Sequence, residues 1–401
     1  MDASCRNGAA GTSTIAVNRP PAITWHRMHM NETDVALPER ALANPASITC
    51  VVPSGLRFLD EEITEIADSA RAGDRALTAA FDHARASSGH AGEWETGLGE
   101  QAAAWLAGHA VRHLTLEAPA NRQVPDATVV RIDARAGRDT IALIDVVARA
   151  GSQMRLVVQS DSREEGSGLA GSLVRIVAES GARVELDQLQ TLPDGWRHLD
   201  DVGIYLADDA RVDATQTVLG ASASYIGLAC NLAGYRSSCT VDTRYVGHAH
   251  GALDFNYVMR QRGAKSRARL MANGVLADAS RKILRGTIDL AHGCKGAVGR
   301  EAENVLLVGE KAANRTLPVI LCDEDDVQGD HGATIGHVNP EQLGYLRMRG
   351  LSPEQAEALF LRAAFDRAVG RASDGRARQA IERRASAVLG ESYEAEEGSA
   401  R

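Results

Sequence analysis

The sequence predicts a mainly β protein, a parallel β-helix between helical amino- and carboxyl-terminal regions, and three observations carry that prediction. Between about residues 128 and 336, helix-period patterns give way to short β-branched runs. Turn markers inside that stretch recur at repeating intervals. On either side of it, apolar residues return to three- and four-residue spacing.

The strand-like runs are Val129-Val130-Arg131-Ile132, Leu156-Val157-Val158, Leu173 to Val177, Val184-Glu185-Leu186 and Val305 to Val308. Small-residue turns separate them: Gly181-Ala182-Arg183, Asp209-Ala210-Arg211 and Gly263-Ala264-Lys265 are spaced by 28 and then 54 residues. Gly220, Gly247 and Gly274 follow one another at 27 residues, twice over. Short strands at a fixed period indicate a solenoid, in which each coil buries its inward side chains on the coil before it. A β-sandwich is the alternative, but its turns recur every ~8–12 residues and its core is richer in aromatics. Here aromatics make up 4% of the chain, so Ala, Val, Leu and Ile must fill the core, which suits stacked coils.

The expected organisation is a poorly ordered segment 1–20, a mostly helical region 21–125, a β-helix core 126–337, a helical region 338–388 and a flexible tail 389–401. In the amino third, Phe58, Leu59, Ile63, Ile66, Ala67 and Ala70 suggest an amphipathic helix from Phe58 to about Ala86, and Glu100 to Leu114 a second. At the other end, Asn339-Pro340 and Ser352-Pro353-Glu354-Gln355 mark two helix starts, with Gly350 between them. The second of these helices has two apolar stripes. Ala356, Leu359, Phe360 and Ala363 form one, and Leu361, Phe365 and Ala368 lie opposite. One stripe packs on the chain's own body; the other faces either a further element of the cap or a partner protein.

A formal charge of −9 and the absence of a basic run argue against a nucleic-acid binder. No apolar stretch reaches membrane-spanning length and no signal-peptide pattern opens the chain, so a cytoplasmic protein without membrane attachment is expected. Six cysteines without CxxC spacing indicate neither a disulfide framework nor a zinc site. Gly166-Ser-Gly168-Leu-Ala-Gly171 matches a dinucleotide-binding pattern but lacks the strand before it and the helix after it. His248 and His250, with Asp254 beyond, form an alternating pair of the kind that ligates metal in cupins, and are weighed against an ordinary turn between Gly247 and Gly251. The strongest constellation is Asp330-His331-Gly332-Ala333-Thr334-Ile335-Gly336, after the acidic stretch Asp323 to Asp326 and before the capped helices. A histidine beside a carboxylate at such a junction can ligate metal or act as a base.

At this segment the chain resembles the SufB/SufD family of iron–sulfur cluster assembly scaffolds. Ser280 to Ile288 is similar to the family's strand motif, Glu303-Asn304-Val-Leu-Leu-Val308 to its "NxLLL" segment, and Asp325 to Gly336 to its "DDVKCSHGATVG" signature. Tyr345-Leu-Arg-Met-Arg349-Gly350 is similar to the following "FYLRSRG" turn, and Thr24 to Asn31 to an opening segment. The resemblance implies a right-handed parallel β-helix and a non-catalytic scaffold. It also implies pairing through the β-helix with a SufB-like subunit or a second copy, and docking of a SufC-like ATPase on the carboxyl-terminal helices, where Leu361, Phe365 and Ala368 are the candidate contacts. No tightly bound cofactor is implied, only iron or a cluster held transiently at the pair interface. Gly309-Glu-Lys-Ala-Ala313-Asn lacks the SufB-type cysteine, which makes the chain SufD-like, and Gly329 stands where the signature has cysteine. His331 is then the matching ligand candidate, with Asp330 adjacent and Cys322 upstream. A carbohydrate-active β-helix enzyme and a cupin-like metalloprotein using His248 and His250 are the alternatives.

Overall fold

The computed structural model of the chain describes residues 12–22, 29–38, 45–62, 82, 95–390 and 393. Two short strands, β1 (Thr12–Val17) and β2 (Thr33–Pro38), pair antiparallel. Two more, β3 (Ile48–Val51) and β4 (Arg57–Glu62), each begin one edge of a large sheet. From there the chain alternates between two stacked sheets. It runs through β5 (Arg112–Ala118), β6 (Gln123–Asp133), β7 (Asp139–Ala148), β8 (Gln153–Asp161), β9 (Gly168–Ala178), β10 (Arg183–Gln190), β11 (Trp196–Leu206) and β12 (Arg211–Val218). It continues through β13 (Ala223–Leu232), β14 (Ser238–Gly247), β15 (Ala252–Gln261), β16 (Arg267–Ala277), β17 (Arg281–Leu290), β18 (Val298–Val308), β19 (Ala313–Cys322) and β20 (Gln328–His337). Sheet one is β3 followed by the even-numbered strands from β6, and sheet two is β4 followed by the odd-numbered strands from β5. From β5 and β6 onward every pairing is parallel, which makes the molecule a parallel β-helix.

Each coil repeats the same turn. Asn121, Gly151, Gly181, Asp209, Arg236, Lys265 and Gly296 all have positive φ, in steps of 27 to 31 residues. Their N–H groups donate to the following coil: Gly181 to the Asp208 carbonyl at 2.8 Å, Asp209 to Tyr235 at 2.8 Å and Lys265 to Lys295 at 2.7 Å. The turn markers read from sequence are therefore right at Gly181 and Asp209 but slip at Gly263, which precedes the equivalent residue, Lys265, by two. Gly274 likewise pairs with Tyr245 and not with Gly247. Composition alone cannot fix which residue takes the left-handed position, because backbone bonding between coils holds even Arg236 and Lys265 there.

Inward positions along the coils are chiefly aliphatic and fully buried. They also hold polar groups, among them a chain of hydrogen bonds around Asp200. The Ser172 hydroxyl and Gln188 Nε2, at 2.6 Å for the latter, donate to Asp200; Gln216 Nε2 donates to Gln188 at 3.0 Å; and Tyr257 donates to Gln216 at 2.7 Å. Each of these groups is thus matched to a partner across the stacked coils.

The amino-terminal region departs from expectation. Thr12–Val17, placed in a disordered segment by its composition, is a strand, because Ile15 and Val17 alternate against Val35 and Leu37. The Phe58 helix begins as β4, paired antiparallel with β5; most of its remaining residues, 63–81 and 83–86, lie outside the described ones. Helix α1 (Glu100–His109) forms but stops at Ala110, and Arg112–Ala118 becomes a strand whose Leu114 and Leu116 enter the core. The β-helix accordingly begins before residue 126. Leu98, Trp105 and Leu106 cover Ile141, Leu169 and Leu199 on the outer face of sheet two. Further along that face, fully buried Arg285 pairs with Asp254 and donates to the Met30 carbonyl at 2.5 Å, while Asn18 Nδ2 donates to Asp254 at 2.8 Å.

Three helices close the carboxyl end: α2 (Pro340–Met348), α3 (Pro353–Val369) and α4 (Gly375–Leu389). Asn339 caps α2 through the Glu341 N–H, and Ser352 with Gln355 forms a reciprocal capping box on α3. The α3 stripes are disposed opposite to the docking expectation. Leu361, Phe365 and Ala368 are buried against Val246, Val275, Ile381 and Ala385, whereas Leu359 on the other stripe is 41% exposed. The stripe with the fully buried Phe365 anchors the cap to the outer face of sheet one, and Phe360 packs partly buried against the same cluster. Among the described residues, no helix is long and apolar enough to cross a membrane.

Candidate functional site at the last coil

Every inner coil is covered by the next; among the described residues the last one is not. Strands β19 and β20 are the outermost of their sheets, so among the described residues their far edges carry no strand partner. The alternation that buries side chains elsewhere here leaves them open, with Ile320 41% and Ile335 48% exposed. Inward positions follow from the register. Glu301 pairs with His331, Gly299 with Gly329, and Leu290 with Cys322. His331, Gly329 and Cys322 therefore share the inner face at the open mouth of the β-helix.

Beneath His331 lies a buried charged cluster. Lys282 forms an ion pair with Glu303, and Thr316 donates to the same carboxylate at 2.5 Å. The Lys282 ammonium also sits 5.7 Å from the centre of the Tyr245 ring. Burial pulls the Lys282 pKa down, although Glu303 opposes it. Glu301 is pushed up to about 8, first by burial and then by the Glu303 charge, with Lys282 acting the other way. Its Oε2 lies 3.6 Å from His331 Nδ1. Two glycines make the room: a Cβ at Gly274 would fall 2.1 Å from the Tyr245 ring, and one at Gly286 would fall 2.3 Å from Glu301 Oε1. This cluster was not singled out from sequence. Its trace is the acid at every second position in Arg300-Glu301-Ala302-Glu303, on the face that Gly299 and Val305 also occupy.

The other candidates separate. Asp330 points outward, as alternation on a strand requires, and accepts from Arg300 Nε at 3.1 Å and Gln328 Nε2 at 2.9 Å. Cys322 shares the inner face but lies at the exposed end of β19, its thiol directed to the Glu324 carbonyl at 3.3 Å. His248 and His250 do not converge. His248 is buried, with Nε2 3.1 Å from Asp194 and in contact with Arg384 of α4, while His250 is exposed past the turn at Ala249. His248 therefore fastens α4 to the coil, its Nε2 already engaged by Asp194 and Arg384. Among the described residues, no group of three or more His, Cys, Asp or Glu side chains is placed to share one metal ion. The dinucleotide-like glycines run directly into β9, and no helix follows them.

The chain is 34% identical over 131 residues to the iron–sulfur cluster assembly protein SufD of Bacillus subtilis, covering 33% of this chain and 30% of that protein. It is 26% identical over 160 residues to SufD of Escherichia coli, covering 40% and 38%. An iron–sulfur cluster assembly SufBD family protein of Pyrococcus horikoshii is 28% identical over 222 residues, 47% of this chain and 49% of that protein. The matched segments thus span about a third to a half of these relatives' lengths. The family model for the SufBD core domain of the SUF system of FeS cluster assembly matches residues 131–364, more than half of the chain and the whole of the last coils with His331, so the chain belongs to that family.

Proposed function

We propose that this protein is a non-catalytic, SufD-like scaffold subunit for iron–sulfur cluster assembly, and that its open last coil is where it pairs with a SufB-like subunit or a second copy of itself. Membership of the SufBD core family supports the role in assembly. The observation that carries the site is the placement of His331 on the inner face of an uncovered terminal coil, beside exposed Ile320 and Ile335. Unpartnered strand edges with apolar side chains favour pairing with another sheet. A second β-helix laid against β19 and β20 would enclose the imidazole, where it could ligate iron or a nascent cluster delivered as cargo. Gly329 offers no thiolate, which leaves His331 as the nitrogen donor and Cys322 as the only cysteine on the inner face of the last coil.

For the ATPase, the surface available on the cap is the exposed one. Tyr345 is 52%, Met348 82% and Leu359 41% exposed, so a SufC-like partner would dock there and not on buried Leu361, Phe365 and Ala368. The deciding experiment is His331→Ala. The site reading expects unchanged melting temperature and pairing with a large fall in cluster output in cells. A lower melting temperature with normal output per folded molecule would make His331 a structural residue and remove it from the site.

A further inference from the structure

The carboxylate behind His331 is unusual in its isolation. Glu301 has a side chain only 3% exposed, and among the described residues neither of its oxygens has a hydrogen-bond partner. Glu303, two residues along on the same face, takes both Lys282 and Thr316. What remains for Glu301 is His331 Nδ1 at 3.6 Å. The position of the carboxylate is not incidental, because Gly286 on the facing sheet leaves the space its Oε1 fills. A buried acid without a partner is costly unless a ligand or a neighbouring group gains from it.

We propose that Glu301 is a positioning residue for His331: it draws Nδ1–H inward and thereby presents Nε2, with its lone pair, at the open mouth. Carboxylates behind metal-binding histidines fix the tautomer and ring orientation in this way. The present separation is longer than a hydrogen bond, and contacts of this kind shorten when the ligand nitrogen is engaged. The consequence for iron or cluster binding rests on the reading of His331 as a ligand, but the orientation of the ring does not.

The test uses the full chain labelled with ¹⁵N-histidine, with the His331 signal assigned by its loss in His331→Ala and the tautomer read from long-range ¹H–¹⁵N spectra at pH 9. The wild type is expected to show Nδ1–H. Glu301→Leu should revert to the Nε2–H tautomer that free imidazoles favour, and Glu301→Gln, whose amide oxygen still accepts, should not. Gly286→Ala should give the same reversion with Glu301 retained, which keeps the proposal testable if the leucine variant folds poorly. A wild-type Nε2–H tautomer, or one unchanged in both Glu301→Leu and Gly286→Ala, overturns the proposal. Titration with cobalt(II) then separates the two readings. A loss of about tenfold to a hundredfold in Glu301→Leu supports both, whereas a switched tautomer with unchanged cobalt affinity upholds positioning and removes the ligand role.

Discussion

Replacing Phe365 with alanine should undock the helical cap while leaving the β-helix intact. Phe365 is 0% exposed and its ring centroid lies 6.3 Å from that of Tyr393 in an edge arrangement. Burying a phenyl ring removes ~160 Å² of apolar surface from water, worth about 4 kcal/mol at ~25 cal/mol per Å², within the ~3–5 kcal/mol usual for Phe→Ala in a core. The cluster around Phe365 includes Ile381 and Ala385 of α4 and is distinct from the solenoid core. The loss should therefore fall on α3 and α4, where amide exchange would quicken by about a thousandfold, with β10 to β16 unchanged. Leu359→Asp, at an exposed position of the other stripe, should alter stability by no more than ~0.5 kcal/mol. If Phe365→Ala left α3 and α4 as protected as before, the assignment of that stripe to internal packing would be refuted. The same pair decides the docking surface. Leu359→Asp with Met348→Asp should weaken capture of a SufC-like ATPase with the cap still protected, and Phe365→Ala should weaken it only as far as the cap is lost.

Two further outcomes follow from buried charges. Burial raises Asp200 and Asp201 to about 7, so between about 3.8 and 7 the folded chain holds protons that the unfolded chain has released, and each acid costs stability as pH rises through that window. Burial pulls His198 down to about 3, which has the opposite slope, stability being lost as pH falls from about 6.5 toward 3. Asp201→Asn keeps an acceptor for the Leu98 N–H, which Asp201 Oδ1 now receives at 2.8 Å. Its advantage over the wild type should grow by about 3 kcal/mol between pH 4.5 and 7.5 in urea unfolding, and a constant difference would show that Asp201 titrates normally. Arg285→Met should cost ~3–5 kcal/mol by leaving Asp254 buried without its counter-charge, though still bonded by Asn18, and adding Asp254→Asn should recover part of it; strictly additive losses in the double-mutant cycle would mean the pair does not couple.

Much of the fold was legible because the β-helix writes its period into the chain. The runs at Val129, Leu156, Leu173, Val184 and Val305 all lie in strands, and the turns at Gly181 and Asp209 lie on one ladder. The amino-terminal region was misread for a physical reason. Phe58, Leu59 and Ile63 have helical spacing, but the edge of sheet two at β5 needed an antiparallel partner, and pairing outweighed propensity along Arg57–Glu62. On α3, spacing revealed two apolar stripes but not which one the body covers. That depends on the outer face of sheet one, where Val246 and Val275 stand in adjacent strands, a juxtaposition set by register and not by the helix sequence.

At the last coil the sequence singles out His331 and Cys322 but not the buried acids beneath them, and the architecture explains why. A strand pattern tells which side chains share a face, so Asp330 could be set apart from His331 by alternation alone. It cannot tell that β20 is the final strand of its sheet. Glu301 and His331 occupy equivalent inward positions one coil apart, yet the first is buried and the second opens to solvent. The same inward face that must be aliphatic or internally paired in a covered coil is free to carry a ligand nitrogen in an uncovered one. The buried acid beneath it has room because the facing strand has Gly286, and it faces the imidazole of the coil above. Where the repeat stops, residues thus keep the period of the coils while departing from their chemistry.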